Sequence, residues 1–190
     1  CLRQVRPGDR DLELVHRLDR DTSGLILVAR RPRVLKELHA KLRADGVEKV
    51  YLALVAGRWP RGLSEVDAPL EKQARASGER VVRVTAGGRR SVTRFRVVER
   101  FRDATLLEAR PLTGRTHQIR VHALHAGHPL VGDVKYQGGR EAALAEKGGL
   151  DRLFLHAWRL RFSLGDPPRA YDLEAPLDRD LEHFLEKLRN

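Results

Sequence analysis

The stretch HRLDRDTSGLILVA, residues 16–29, decides how the chain is read. Its first half is charged and turn-prone. Its second half, Leu25 to Ala29, is a short apolar run behind Thr22-Ser23-Gly24. Five apolar residues bounded by turn formers predict a buried strand, being too few for a core helix. Asp19 sits in the turn just ahead, between Arg17 and Arg20. A loop held by a rigid strand is where chemical side chains are commonly presented, and an aspartate in a cleft can serve as nucleophile or base. A lone aspartate in a turn is more often an Asx-turn or a surface ion pair, so position 19 gains weight only from the rest of the chain.

Outward from this stretch, the spacing of Val34, Leu35, Leu38 and Leu42 predicts a helix over 32–45, with Pro32 at its start and Gly46 as its C-cap. Lys49 to Gly57 reads as a strand with Lys49, Tyr51 and Ala53 on one face. Residues 58–79, with Pro60, Gly62, Pro69 and Gly78, show the weakest periodicity and are expected to form a mobile loop. Arg80–Thr85 and Ser91–Val98 read as a hairpin joined through Ala86-Gly87-Gly88. A strand at 105–109, a helix from Arg115 to Ala126, a loop or short strand at 129–136 and a surface helix at 141–147 follow. A strand at 153–164 and a closing helix at 180–188 complete the reading. Strands dominate and no regular βαβ alternation exists. The fold class is therefore α+β, a mixed, largely antiparallel central sheet flanked by helices.

At 190 residues the chain reads as one domain spanning 1–190, large enough to bury a core without staples. Cys1 is the one cysteine, which excludes an internal disulfide or a cysteine metal cage. No apolar run approaches the roughly 20 residues of a membrane span, and residues 1–24 lack the apolar core of a signal peptide. A cytoplasmic protein is expected. The absence of methionine reads as a piece cut from a longer chain beginning upstream of Cys1. A net charge of +11, from 37 basic against 26 acidic residues, suggests a polyanionic partner held by phosphate contacts.

Two further groups of residues carry chemistry. In TGRTHQIRVH, residues 113–122, a helical reading puts Arg115, Gln118 and His122 on one side and Arg120 elsewhere, and Gly114 allows close backbone approach. In KVYLA, residues 49–53, Tyr51 can stack on a base if it faces a cleft, although a strand tyrosine is more often core or rim. His117, His122, His125 and His128 are spaced by five, three and three residues with no acid among them, so no metal site is expected. Gly87-Gly88 and Gly138-Gly139 are turn signals without the Gly-Lys-Ser/Thr of a phosphate loop, so no nucleotide cofactor is expected either.

Together these segments resemble the RluA-type pseudouridine synthases. HRLDRDTSGLILVA is similar to that family's catalytic motif, and KVYLALVAG (49–57) and PLTGRTHQIRVH (111–122) to its second and third, in the same order. GHPLVGDVKY (127–136) and LFLHAWRLRF (153–162) are also family-like, while SGERVVRV (77–84) is most similar to the RluC branch, which modifies large-subunit ribosomal RNA. The resemblance implies a pseudouridine synthase fold with a central RNA-binding cleft and no cofactor. It implies catalytic roles for Asp19, for Tyr51 packed on the target uracil, and for Arg120 paired with the aspartate. Arg17, Arg115, Gln118 and Ile119 are the implied substrate-binding residues, with Val121 helping to wall the pocket. The implied partner is RNA, expected to be ribosomal, and a monomer is expected. Family members carry a preceding strand with a Lys-Pro segment, and many an S4 module, that do not match residues here. A catalytic domain lacking both is expected, with an exposed sheet edge. Whether the carboxylate adds to the uracil, attacks the anomeric carbon or abstracts a proton stays open. Two alternatives stay open beside it: a non-catalytic RNA-binding or ribosome-assembly module, and an aspartate-dependent hydrolase of small molecules.

Overall fold

A computed structural model describes residues 4, 6, 8, 11–74, 80–136 and 139–190. The readings of Cys1, of residues 75–79 and of Gly138 lie outside the described residues. The elements in chain order are β1 (Glu13–Leu14), β2 (Ser23–Gly24), β3 (Val28–Ala29), α1 (Pro32–Arg43), β4 (Val47–Ala56), β5 (Glu65–Asp67), β6 (Leu70–Ala74) and β7 (Arg80–Val84). They continue with β8 (Val92–Arg100), β9 (Ala104–Pro111), α2 (Gln118–His125), α3 (Arg140–Gly148), β10 (Leu155–Leu164), β11 (Arg169–Glu174) and α4 (Arg179–Arg189).

Among the described residues a seven-stranded sheet runs β11-β10-β4-β9-β8-β5, with β2 beside the start of β10. All its pairings are antiparallel except β2 with β10. This is the α+β, largely antiparallel architecture read from the sequence. Period-two alternation divides β4 and β9 between two cores. Ala53, Val55, Leu107 and Ala109 face one way and pack with Ile119 and Ala123 of α2, Trp59 and Phe95. Leu52, Leu54 and Leu106 face the other way and pack with Ala145 of α3 and Leu181, Phe184 and Leu185 of α4. A strand buried on both faces needs an almost unbroken apolar run, which is why residues 52–56 read LALVA.

Several expectations are corrected. Leu25–Ala29 is not one buried strand. The chain pairs with β10 through Ser23–Gly24 and then leaves it to pair Val28–Ala29 with β1, so only Ala29 of the run is buried. Gly46 is not the left-handed cap of α1. Asp45 takes that conformation (φ 54°), and the Gly46 N–H closes the turn onto the Lys41 carbonyl at 2.8 Å. The proposed hairpin of 80–85 with 91–98 does not form. β7 pairs with β6, while β8 lies between β5 and β9. The Gly87-Gly88 turn instead carries the chain across β6, where Leu70 and Arg89 exchange two backbone bonds of 2.9 Å. The expected loop at 58–79 contains β5 and β6, and Trp59 is buried, with its Nε1–H on the Leu63 carbonyl at 2.7 Å. The helix expected from Arg115 starts at Gln118, because residues 113–117 form a tight turn around the Gln118 side chain. Helix α3 is not wholly a surface element, since Glu141 and Ala145 are buried.

Gly24 joins fold to site. Its φ is +101°, and a Cβ there would collide with the backbone of Ala157, its nitrogen only 2.7 Å away. Close parallel pairing of β2 with β10 therefore requires glycine. Gly24→Ala is expected to lower stability by about 2–4 kcal/mol in chemical denaturation. An unchanged midpoint would contradict this account of the anchor.

Candidate active site

Asp19 lies on a loop tied down at both ends. The Thr22 N–H donates to the Asp19 carbonyl at 3.0 Å, closing a turn around the residue. Behind it the Val15 N–H donates to the Leu27 carbonyl (3.0 Å), and the Leu27 N–H donates to His16 Nε2 (3.1 Å). Burial holds the His16 pKa below its ordinary value, against the pull of a backbone bond. That suits a ring nitrogen that must accept from Leu27. Ser23 Oγ and His156 Nδ1, 2.8 Å apart, tether the loop's exit to β10.

Arg120, in the first turn of α2, brings Nη1 to 3.9 Å from Asp19 Oδ2. Its principal partner is a different carboxylate. Arg120 Nε and Nη2 donate to Asp133 Oδ2 and Oδ1 at 2.8 and 2.7 Å. Asp133 is 1% exposed and also accepts from the N–H groups of Lys135 (3.0 Å) and Tyr136 (3.1 Å). Burial would lower the Arg120 pKa, but the bond to Asp133 and the charges of Asp133 and Asp19 outweigh it and raise it. The guanidinium carbon also sits 5.0 Å from the centre of the Tyr136 ring. A bidentate pair of this kind fixes the direction of a guanidinium as well as its charge, leaving Nη1 aimed at Asp19.

Tyr51, on β4, is partly buried at the same cleft. Burial first, and the negative charge of Asp19 second, push its phenol up to about 12. His117 Nε2 lies 3.9 Å from Asp19 Oδ2 on the side opposite its bond to Tyr136, whose hydroxyl is 2.7 Å from Nδ1.

Asp19, Tyr51, His117 and Arg120 line one cleft of about 710 Å³. Its described lining includes Arg17, Arg20, Lys49, Lys72, Arg115 and Arg120, and Asp19 is the one carboxylate among them. Burial draws the Lys49 pKa down, against the opposing charge of Asp45. A second groove of about 500 Å³ adjoins the cleft through Lys72, Gly114, Arg115 and Thr116 and adds Arg89 together with the acidic Glu71. Histidines 117, 122 and 128 do not converge. They bond respectively to Tyr136, to Thr93 with the Ala68 carbonyl, and to the Ala56 carbonyl. Among the described residues no group of three His, Cys, Asp or Glu side chains is placed to hold a metal ion.

Residues 3–125 match the model of the RNA pseudouridylate synthase family. The chain belongs to the RNA pseudouridylate synthase family. Among its relatives in that family is the ribosomal large subunit pseudouridine synthase C of Yersinia pestis, 54% identical over 189 residues, 99% of this chain and 59% of that protein. Its Escherichia coli (strain K12) counterpart is 53% identical over 192 aligned positions, covering 100% of this chain and 60% of that protein. The chain thus spans about 60% of the length of the curated relatives it matches. Of solved structures, human RNA Pseudouridylate Synthase Domain Containing 4 superposes with a TM-score of 0.78 at 27% identity, over 99% of this chain and 80% of that one. Human RNA Pseudouridylate Synthase Domain Containing 1 gives 0.79 at 25%, over 99% and 83%.

Within this family member, the residues singled out in the sequence fall into two groups. Asp19, Tyr51 and Arg120, distant along the chain, line one cleft together with Arg17 and Arg115. Gln118 also borders it, but its amide is spent on the loop. It accepts from Thr113 Oγ1 (2.7 Å) and the Arg115 N–H (3.0 Å) and donates to the Val92 carbonyl (2.9 Å) and Thr93 Oγ1 (3.0 Å). Gln118 therefore shapes the Arg115 turn and has no free donor for a substrate. Ile119 borders the cleft from within the core under α2. Val121 does not wall the pocket; it packs with Leu70, Val81, Val82 and Tyr136. Sequence reasoning missed Asp133, Tyr136 and the placement of His117. The first two stand in GDVKY, a segment similar to the family's but without an obvious role, because a carboxylate among glycine and valine reads as a turn.

Proposed function

We propose that the chain isomerises uridine to pseudouridine in RNA, with large-subunit ribosomal RNA as its substrate and Asp19 as the reacting carboxylate. The observation that carries this reading is a cleft whose described lining holds one carboxylate, Asp19, among six Lys and Arg side chains. Cations along a groove hold phosphates and release their counterions; one acid among them is costly for binding and useful for chemistry. Relatives more than 50% identical are named as large-subunit pseudouridine synthases, which supports the choice of RNA.

The reaction breaks the bond from N1 to C1′ and forms one from C5 to C1′. The C5 proton leaves, N1 ends with a proton, and no electrons are gained or lost overall. A uridine must leave its stack to reach Asp19, at a cost of a few kcal/mol. The basic cleft and an aromatic surface at Tyr51 offset that cost. With its phenol at about 12, Tyr51 remains protonated at neutral pH. A protonated phenol is a poor base for the C5 proton, which leaves stacking on the uracil as the role of Tyr51 in this reading. Arg120, clamped by Asp133, holds positive charge beside Asp19 without neutralising it through a direct short bond.

Incubation with ribosomal RNA tritiated at uridine C5 tests this. Tritium release with appearance of pseudouridine is expected. Binding without release would favour a non-catalytic RNA-binding module. Affinity is also expected to fall by about tenfold or more between roughly 50 and 200 mM salt; a flat response would remove RNA as the partner.

A further inference from the structure

We propose that His117 is a second positioning residue for Asp19, a neutral hydrogen-bond donor whose tautomer is set by Tyr136. This rests on Asp19 being the reacting group. The Tyr136 hydroxyl, on a residue 7% exposed, has two described partners. It accepts from the Val82 N–H at 2.9 Å and lies 2.7 Å from His117 Nδ1. The Val82 N–H can only donate, so among the described residues the phenol proton has one acceptor in reach, His117 Nδ1. That leaves Nδ1 without a proton and places the ring's proton on Nε2, the atom 3.9 Å from Asp19 Oδ2.

The backbone supports this placement. His117 has φ 54° and ψ 19°, a left-handed conformation uncommon outside glycine, asparagine, aspartate and histidine. It lets the ring turn back over the cleft while α2 begins at the next residue and carries Arg120 inward. Asp19 Oδ2 thus faces two donors at equal distance, Arg120 Nη1 and His117 Nε2, one charged and one neutral. Both are slack by about 1 Å relative to a hydrogen bond, as catalytic contacts often are before substrate closes the site.

The groups facing the ring are Asp19, Arg120, Lys135, Asp133 and Tyr136. Burial holds the imidazole below its ordinary pKa, Asp19 and Asp133 pull upward, and Arg120 and Lys135 push further down. The neutral form therefore prevails at neutral pH. Protonation in acid puts a second hydrogen on Nδ1, against the Tyr136 proton, and breaks the relay.

Three variants and two readouts test the assignment. Asparagine tolerates the left-handed backbone but does not reach Asp19, so His117→Asn is expected to fold normally and lose about 10- to 100-fold in single-turnover rate. RNA affinity should be unchanged. His117→Gln restores a donor of similar reach and is expected to recover much of that loss. Turnover of His117→Asn at the unsubstituted rate, or a folded Gln variant no faster than Asn, would overturn the proposal. Nitrogen NMR of the ring needs no turnover. The Nε2–H tautomer is expected in the unsubstituted chain and in Asp19→Asn, and mixed tautomers in Tyr136→Phe. A ring protonated on Nδ1 in the unsubstituted chain would also overturn it. Normal turnover in Asp19→Asn would instead remove the reading of Asp19, which separates the two failures.

Discussion

Asp19→Ala is expected to lose at least about 10⁴-fold in the rate of pseudouridine formation, because it removes the oxygen proposed to react and the cleft's described lining holds no second carboxylate to replace it. Binding should behave differently. The cleft keeps its six cations, so affinity for RNA should be unchanged or slightly higher once a like-charged neighbour of the phosphates is gone. Stability should stay within about 1 kcal/mol, since Asp19 is partly exposed and its contacts to Arg120 and His117 are 3.9 Å long. Single-turnover kinetics on ribosomal RNA, with affinity measured in parallel, separate the effects. Residual turnover within about tenfold of the unsubstituted chain would take Asp19 out of the chemistry.

Asp133→Ala should show the reverse balance, a large loss of stability together with a loss of rate. Arg120 is 4% exposed, so without Asp133 its charge is buried and lacks its short-range partner. The N–H groups of Lys135 and Tyr136 lose their acceptor as well. Breaking one side of a buried pair costs about 3–5 kcal/mol, which for a chain of this size is a fall of roughly 10 °C in melting temperature. The freed guanidinium has Asp19 as its next carboxylate. Direct pairing there would tie up the oxygen proposed to react and is expected to cut the rate by about 100-fold or more. Asp133→Asn keeps an acceptor for the two N–H groups and should fall between. An unchanged melting temperature in Asp133→Ala would mean that the pair does not brace the site.

Local signals were legible where one segment carried its own reason. Leu52 to Ala56 had to be a buried strand whatever it paired with, and the periodicity read over 32–45 forms a helix over Pro32–Arg43, two residues shorter than expected. Signals that depended on a partner misled. Arg80–Thr85 and Ser91–Val98 have the composition and turn of a hairpin, yet each strand finds a better edge elsewhere, β7 on β6 and β8 between β5 and β9. Leu25–Ala29 is apolar enough for a strand, but the demand for Gly24 against Ala157 and for Ala29 against Glu13 divides it between two sheets.

The same boundary runs through the site. Sequence alone determined the fold class, and through the resemblance of its motifs to the family's it singled out Asp19, Tyr51 and Arg120 as the residues to examine; read without that resemblance, an aspartate in a turn, a strand tyrosine and an arginine off the helix face carry no such weight. Only the tertiary structure decided that Arg120 is held by Asp133, that Gln118 is spent on a loop, and that His117 points at Asp19 through a bond to Tyr136. Those contacts join residues from different elements. Their strength depends on burial and on directions that chain folding sets, and neither quantity is a property of any short stretch of sequence.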